Sequence, residues 1–165
     1  EGMIRMDAPS DKRNFTGWHQ EISYLRNNGL AVWIPLSDIT PDLGPLQVCP
    51  KSHHEGELKV VQNKNLPDGI SGETVDEVKP EYVAKYSIMD VEIKKGDVLL
   101  FDTKLFHRSG ANISNKIRFS CQTRHAINTA EDFVPFRETK IYNKFVLEQV
   151  IQKHPAFTNN FNPTH

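Results

Sequence analysis

Short apolar stretches, separated by turns that contain Gly, Pro, Asn or Asp, recur along most of the chain. In several of them apolar and polar positions alternate, which is the period of a half-buried strand. The predicted strands cover residues 3–6, 18–24, 30–36, 46–49, 87–94, 98–101 and 117–125. The run 98–101 is continuously apolar, which predicts a strand buried on both faces. Many short strands joined by turns predict a mainly β fold, either a β-sandwich or a jelly roll.

Three segments depart from this pattern. Residues 7–14 combine Pro, Ser and charged residues and predict a loop. Residues 55–86 hold few apolar positions and predict a long loop, either a lid over a site or a disordered segment. Residues 139–153 have apolar positions at helical spacing and are followed by Pro155, so they predict a C-terminal helix. We therefore expect a single domain over residues 1–165, either a β-sandwich or a jelly roll, with a C-terminal helix.

Composition narrows the class of protein. The chain has 165 residues, of which 38% are hydrophobic and 25% charged, with a formal net charge of -1. These values indicate a globular domain without a basic surface for nucleic acid. The sequence has no apolar run near the roughly 18 residues of a membrane helix and no signal peptide, so we expect a cytoplasmic protein without a membrane partner. Cys49 and Cys121 are expected to be reduced thiols.

A possible metal site begins in the predicted strand 18–24. Residues two apart in a strand point to the same face, so His19 and Glu21 can reach one ion. His107, far downstream, would complete a set of two histidines and one carboxylate, the arrangement of non-haem Fe(II) oxygenases. The competing interpretation is that the His-x-Glu pair lies on the surface by chance and that a backbone carbonyl satisfies His107.

The last predicted strand carries a second candidate site. Alternation places Arg118, Ser120, Gln122 and Arg124 on one face. If that face lines the interior, Arg118 is a buried cation that requires an anion. A carboxylate suits the planar guanidinium because the two groups form parallel hydrogen bonds. If the strand lies at a sheet edge, Arg118 faces solvent instead.

The order and spacing of these residues resemble the phytanoyl-CoA dioxygenase family. His107 follows His19 by 88 residues, and Arg118 follows His107 by 11. Further segments resemble family motifs: Gly-Pro-Leu to Lys-Ser-His at 44–53, Lys-Gly-Asp and an apolar run at 95–101, and His-x-Ser-x-x-Asn at 107–112. The likeness extends from about residue 18 to residue 124.

The resemblance implies a double-stranded β-helix, a cupin-like jelly roll, that uses Fe(II) with 2-oxoglutarate and O₂ as cosubstrates. By position, His19, Glu21 and His107 would bind the iron. Arg118 would hold the far carboxylate of 2-oxoglutarate, with Ser109 beside it.

Four other residues are weaker candidates. Trp33 stands where the family often has a Trp near the cosubstrate, although core packing explains it equally well. Gln20, Gln122 and Arg124 are candidates for contact with substrate. The family's usual metal-binding carboxylate is Asp, and here it is Glu21.

The resemblance predicts a dioxygenase that hydroxylates an unactivated C–H bond of a small molecule and releases succinate and CO₂. The family has a sizeable region before its first ligand, whereas 18 residues precede His19. We therefore expect a chain that lacks this N-terminal region. One alternative is a non-catalytic jelly roll that binds a metal or another ligand. Another is a cupin-like isomerase or zinc enzyme, which would not need Arg118.

Overall fold

A computed structural model describes residues 2–11, 16–25, 27–58, 61–62 and 76–127. The strands are β1 Gly2–Asp7, β2 Gly29–Pro35, β3 Leu46–Val48, β4 Val61–Gln62, β5 Asp76–Glu77, β6 Met89–Val91, β7 Leu99–Asp102, β8 His107–Ser109 and β9 Arg118–Ala126. The helices are α1 Ile22–Leu25 and α2 Pro80–Val83, and short 3-10 helices cover Pro41–Leu43 and Ser52–Glu55.

The strands form antiparallel sheets. The larger sheet has the order β1-β9-β2-β7, the smaller sheet has the order β6-β3-β8, and β4 pairs with β5. Neighbours within the sheets are mostly distant in sequence, as expected of a jelly roll. The predicted mainly β fold is confirmed, while the predicted helix at 139–153 lies outside the described residues.

The main core lies between the two sheets. Along β2 the side chains of Ala31, Trp33 and Pro35 are buried, whereas Leu30 is exposed. This alternation directs one face of the strand toward the smaller sheet. The buried cluster contains Ala31, Trp33, Ile39, Leu43, Leu46, Val48 and Phe101. Apolar residues of both sheets therefore pack together into one core.

Strand β9 lies inside the larger sheet, between β1 and β2. Arg118 and Ser120 are buried, whereas Phe119 between them is 38% exposed. Of the two alternatives left open for this strand, the one with Arg118 on an inward face is correct, and the exposed edge strand is wrong. The larger sheet therefore carries a charged residue on its inner face.

The prediction for residues 98–101 is wrong. Strand β7 is an edge strand, and Leu100 is 60% exposed while Phe101 is buried. A continuous apolar run does not show whether something covers the second face. In the described part of the chain no element covers the outer face at Leu100.

The segment 55–86 contains more regular structure than a plain loop. Its described parts include β4, β5 and α2, and Val78 and Val83 join a second buried cluster with Cys49 and Phe106.

Both cysteines are free. Within the described ranges, neither α-helix has the length and apolar composition needed to cross a membrane.

Candidate metal centre

Three buried side chains converge at one point of the structure. The ligand atoms of His19, Glu21 and His107 all lie within 4.8 Å of one another. Glu21 Oε1 is 3.7 Å from His19 Nε2 and 3.3 Å from His107 Nε2. Adjacent ligands of an octahedral ion with bonds of about 2.1 Å lie about 3 Å apart. The three atoms are therefore close to the spacing that one divalent ion requires.

Backbone pairing brings the two histidines together. The His19 N–H donates to the His107 carbonyl at 3.0 Å, and the His107 N–H donates to the His19 carbonyl at 3.2 Å. This exchange of two bonds defines a hydrogen-bonded antiparallel pair. The ring centroids lie 4.1 Å apart. The smaller sheet is thus extended by one bridge beyond β8, and that bridge carries both imidazoles.

Glu21 reaches the site in a different way from the one predicted. The predicted strand 18–24 is wrong, because His19 forms an isolated bridge and α1 begins at Ile22. The Leu25 N–H donates to the Glu21 carbonyl at 3.0 Å, so Glu21 lies at the start of the helix. The carboxylate therefore approaches from a turn, and the two-residue spacing of an extended strand does not apply.

The second ring nitrogens of both histidines are anchored. His19 Nδ1 lies 2.8 Å from the Gly17 carbonyl and His107 Nδ1 lies 2.9 Å from the Leu105 carbonyl. A carbonyl only accepts hydrogen bonds, so each Nδ1 carries a proton and each Nε2 faces Glu21. Such anchoring fixes the tautomer and orientation of metal-binding histidines. The competing interpretation, in which a backbone carbonyl satisfies His107, accounts for Nδ1 but not for Nε2, which faces Glu21.

The electrostatics of the cluster favour a cation at its centre. Burial raises the pKa of Glu21, but hydrogen bonds with His107 and His19 lower it by more, so the pKa lies below its ordinary value. Burial and the neighbouring His19 lower the pKa of His107 and disfavour its imidazolium form. The anionic carboxylate thus faces the His107 imidazole, which resists protonation, and a metal ion would supply the missing positive charge.

Arg124 also contacts the carboxylate. Its Nε donates to Glu21 Oε2, the oxygen that does not face the histidines. This residue was predicted to contact substrate, and in the structure it touches a candidate metal ligand. Glu21 therefore presents one oxygen to the histidines and the other to a guanidinium.

A cavity opens beside Glu21 and His107. Trp33, Gln122 and Arg124 are among the residues that line it. Trp33 also belongs to the main buried cluster, so it packs in the core, and its place near the cosubstrate stays a prediction. Gln122 and Arg124 lie where contact with a ligand is possible, and that contact stays a prediction.

Arg118 and Ser109 are also buried. Ser109 is buried two residues after His107 in β8. Arg118 is 2% exposed and donates from Nη2 and Nε to Asp7 Oδ2, at 2.8 and 3.2 Å. Burial lowers the pKa of Arg118, and the charge of Asp7 opposes that effect. Neither Arg118 nor Ser109 is among the described residues that line the cavity.

The partner of Arg118 was missed by the sequence analysis. Asp7 was predicted in a loop, but it is the last residue of β1 and pairs with Arg118 across the sheet. Arg5 and Asp7 are two residues apart and would share one face of a strand. This is the only local signal that could have indicated the pairing of Asp7 with Arg118.

Gln20 has a structural role that differs from the predicted contact with substrate. Its Nε2 donates to the Gly56 and Lys104 carbonyls at 2.8 and 2.7 Å. Its Oε1 accepts from the Leu58 N–H at 2.9 Å. Both N–H groups of the buried amide are used, so Gln20 holds together two backbone segments, one at Gly56 and Leu58 and the other at Lys104.

The fold is a cupin-like double-stranded β-helix, as in the solved structures that it matches. EvdO2 from Micromonospora carbonacea var. aurantiaca, solved in complex with 2-oxoglutarate, matches with a TM-score of 0.57 and 22% identity, over 79% of this chain and 54% of that chain. EctD from S. alaskensis, solved with 2-oxoglutarate and 5-hydroxyectoine, matches with a TM-score of 0.57 and 21% identity, over 77% and 43% of the two chains.

The chain belongs to the phytanoyl-CoA dioxygenase family, whose sequence model, Phytanoyl-CoA dioxygenase (PhyH), matches residues 3–120. An ectoine dioxygenase of Sphingopyxis alaskensis is 31% identical over 107 residues, covering 61% of this chain and 35% of that protein. A phytanoyl-CoA dioxygenase domain-containing protein 1 homolog of Dictyostelium discoideum is 33% identical over 104 residues, covering 61% and 36%. The chain thus spans about a third of the length of the curated relatives that it matches.

Proposed function

We propose that this chain carries the catalytic site of an Fe(II)- and 2-oxoglutarate-dependent dioxygenase that hydroxylates an unactivated C–H bond of a small molecule. The observation that carries the proposal is the convergence of buried His19, Glu21 and His107, with both Nε2 atoms directed at one carboxylate oxygen. Membership of the family supports the same assignment.

The residues fit both groups that this chemistry needs. Two imidazole nitrogens and one carboxylate oxygen form the donor set of non-haem Fe(II) sites. Arg118 Nη1 is buried and has no hydrogen-bond partner in the described structure, so a donor remains for the far carboxylate of 2-oxoglutarate.

The iron and 2-oxoglutarate, when bound, would supply the oxidant for the C–H bond, with release of succinate and CO₂. The chain would supply positioning and exclusion of water. The Gly17 and Leu105 carbonyls hold the two imidazoles in the ligating tautomer. Arg124 occupies one oxygen of Glu21 and leaves the other for the metal.

The substrate is proposed to be a small molecule that enters the cavity beside Glu21 and His107. The matched relative from Sphingopyxis alaskensis is named for ectoine, and the EctD structure holds 5-hydroxyectoine. Gln122 and Arg124 line the cavity and offer polar contacts to such a ligand. We propose no individual substrate.

The test is succinate release with Fe(II), 2-oxoglutarate and oxygen across a panel of small molecules. We expect His107→Ala to abolish release and to lower the iron content of the chain. His54→Ala is the matched control, since His54 is exposed and outside the site, and it should keep full activity. Equal activity of wild type and His107→Ala would refute the proposal.

The same experiment separates the competing functions. A protein that binds Fe(II) and 2-oxoglutarate anaerobically, but releases no succinate with any substrate, would be the non-catalytic module. A zinc enzyme or isomerase of cupin type would be active without 2-oxoglutarate.

A further inference from the structure

We infer that Asp7 is a positioning residue for 2-oxoglutarate, because it holds one fork of the Arg118 guanidinium and leaves the other fork free for the ligand's carboxylate. The inference rests on the proposed function and adds to it a residue from β1, which lies outside all the motifs described above.

The hydrogen bonds divide the guanidinium into two halves. Nε and Nη2 of Arg118 both donate to Asp7 Oδ2, at 3.2 and 2.8 Å, so Asp7 occupies the fork nearest the side-chain stem. The remaining fork consists of Nη1 and the second hydrogen of Nη2. Nη1 is buried without a hydrogen-bond partner in the described part of the chain. Leaving such a donor unpaired in the interior is unfavourable, and a second carboxylate would pair with it.

Asp7 is itself firmly held. It pairs with Arg118 in the register of β1 and β9. Its Oδ1 accepts from Arg5 Nε at 2.9 Å, and its carbonyl accepts from Asn112 Nδ2 at 2.9 Å. With contacts on both carboxylate oxygens and on its backbone, Asp7 has little freedom to turn. It can therefore fix the plane of the Arg118 guanidinium.

A second unused polar atom lies on the same strand face. Ser120, two residues beyond Arg118, has a buried Oγ without a hydrogen-bond partner among the described residues. Arg118 Nη1 is likewise buried without a partner there. A carboxylate would accept hydrogen bonds from both donors and would face the charge of the guanidinium.

An opposite role for Asp7 makes the opposite prediction. If Asp7 stood in for the ligand and competed with it for Arg118, removal of its charge would tighten binding of 2-oxoglutarate. The structure argues against competition, because Asp7 leaves the fork at Nη1 uncovered. The sign of the change in affinity therefore decides between the two roles.

The experiment is an anaerobic titration of the Fe(II)-loaded protein with 2-oxoglutarate, followed by the visible charge-transfer band of the iron chelate. We expect Asp7→Asn and Asp7→Ser to raise the Kd for 2-oxoglutarate roughly 10-fold, as is common for groups behind a direct ligand. Their affinity for Fe(II) should stay unchanged. The matched control Glu92→Gln, which removes one exposed carboxylate, should match wild type in both.

A double-mutant cycle tests whether Asp7 acts through Arg118. In the Arg118→Gln background, the additional change Asp7→Asn should leave the Kd for 2-oxoglutarate unaltered, since the group that it orients is gone. Additive effects would mean that the two residues act independently, and would overturn the inference.

The remaining outcomes are also decisive. An unchanged or lower Kd in Asp7→Asn, with a normal band in wild type, overturns the inference alone. Loss of folding in both Asp7 variants would show that Asp7 serves the stability of the fold, and would also overturn it. Absence of the band in the wild-type protein refutes the proposed function itself.

Discussion

Gln20 offers a sharp test, because its position between the metal ligands suggests one role and its contacts indicate another. The structure assigns it to holding the backbone at Gly56, Leu58 and Lys104. We predict that Gln20→Met, which keeps the length of the side chain and removes its polar atoms, acts mainly on stability.

The magnitude follows from the three hydrogen bonds. Each contributes about 1 kcal/mol net, so their joint loss should lower the free energy of unfolding by about 3 kcal/mol. For a chain of this size each kcal/mol shifts the Tm by about 2–4 °C, which gives a fall of roughly 6–12 °C. Gln20 is 1% exposed, so water has little access to replace the amide.

The assay is urea unfolding of the metal-free protein, supported by thermal melts. Gln47→Met is the matched control. Gln47 also makes two side-chain bonds, to Asp90 and Arg108, but the Asp90 bond is exposed and Gln47 is only half-buried. The control should therefore lose less than about 1 kcal/mol.

The reasoning would be refuted by a Gln20→Met variant with wild-type stability and a raised KM for substrate. That result would return Gln20 to the substrate-contacting role expected from the sequence. A loss of stability without a change in KM would support the structural role.

Two further predictions concern other parts of the fold. Gly110→Ala should lower the free energy of unfolding by about 2 kcal/mol, because a Cβ there would lie 2.2 Å from the Pro45 carbonyl oxygen. The control is Gly2→Ala, whose added Cβ meets only a side-chain methyl at 3.3 Å and a backbone oxygen at 4.0 Å. Equal stability of the two variants in urea unfolding would contradict the expected clash. Iodoacetamide at pH 8 should modify Cys121 well before Cys49, because Cys49 is fully buried and burial raises the pKa of its thiol. Mass spectrometry of peptides would show the order of labelling, and faster labelling of Cys49 would contradict the prediction.

Much of the sheet architecture could be predicted from alternation. The strands β2 and β9 lie where the pattern placed them, and the inner face of β9 carries Arg118 and Ser120 as expected. Alternation is reliable there because each strand has one buried face, so the pattern of side chains records which face is inside.

Side-chain alternation gave wrong predictions where the backbone is not extended and where a strand lies at a sheet edge. Glu21 lies at the start of α1, so the two-residue spacing did not report a strand. The apolar run in β7 predicted two covered faces, yet Leu100 is exposed at a sheet edge. Local sequence does not show that the backbone turns at Glu21, and it does not show which elements lie next to β7.

The sequence by itself determined which side chains are able to bind a metal and that Arg118 and Ser120 share one face of their strand. Only the tertiary structure decided that this face is the inner one and how these side chains are held. Asp7 and Arg118 are 111 residues apart in the chain, and Gln20 reaches Lys104 across 84 residues. Such pairs depend on which strands become neighbours and where loops return, and these are set by packing of the whole chain rather than by any local period.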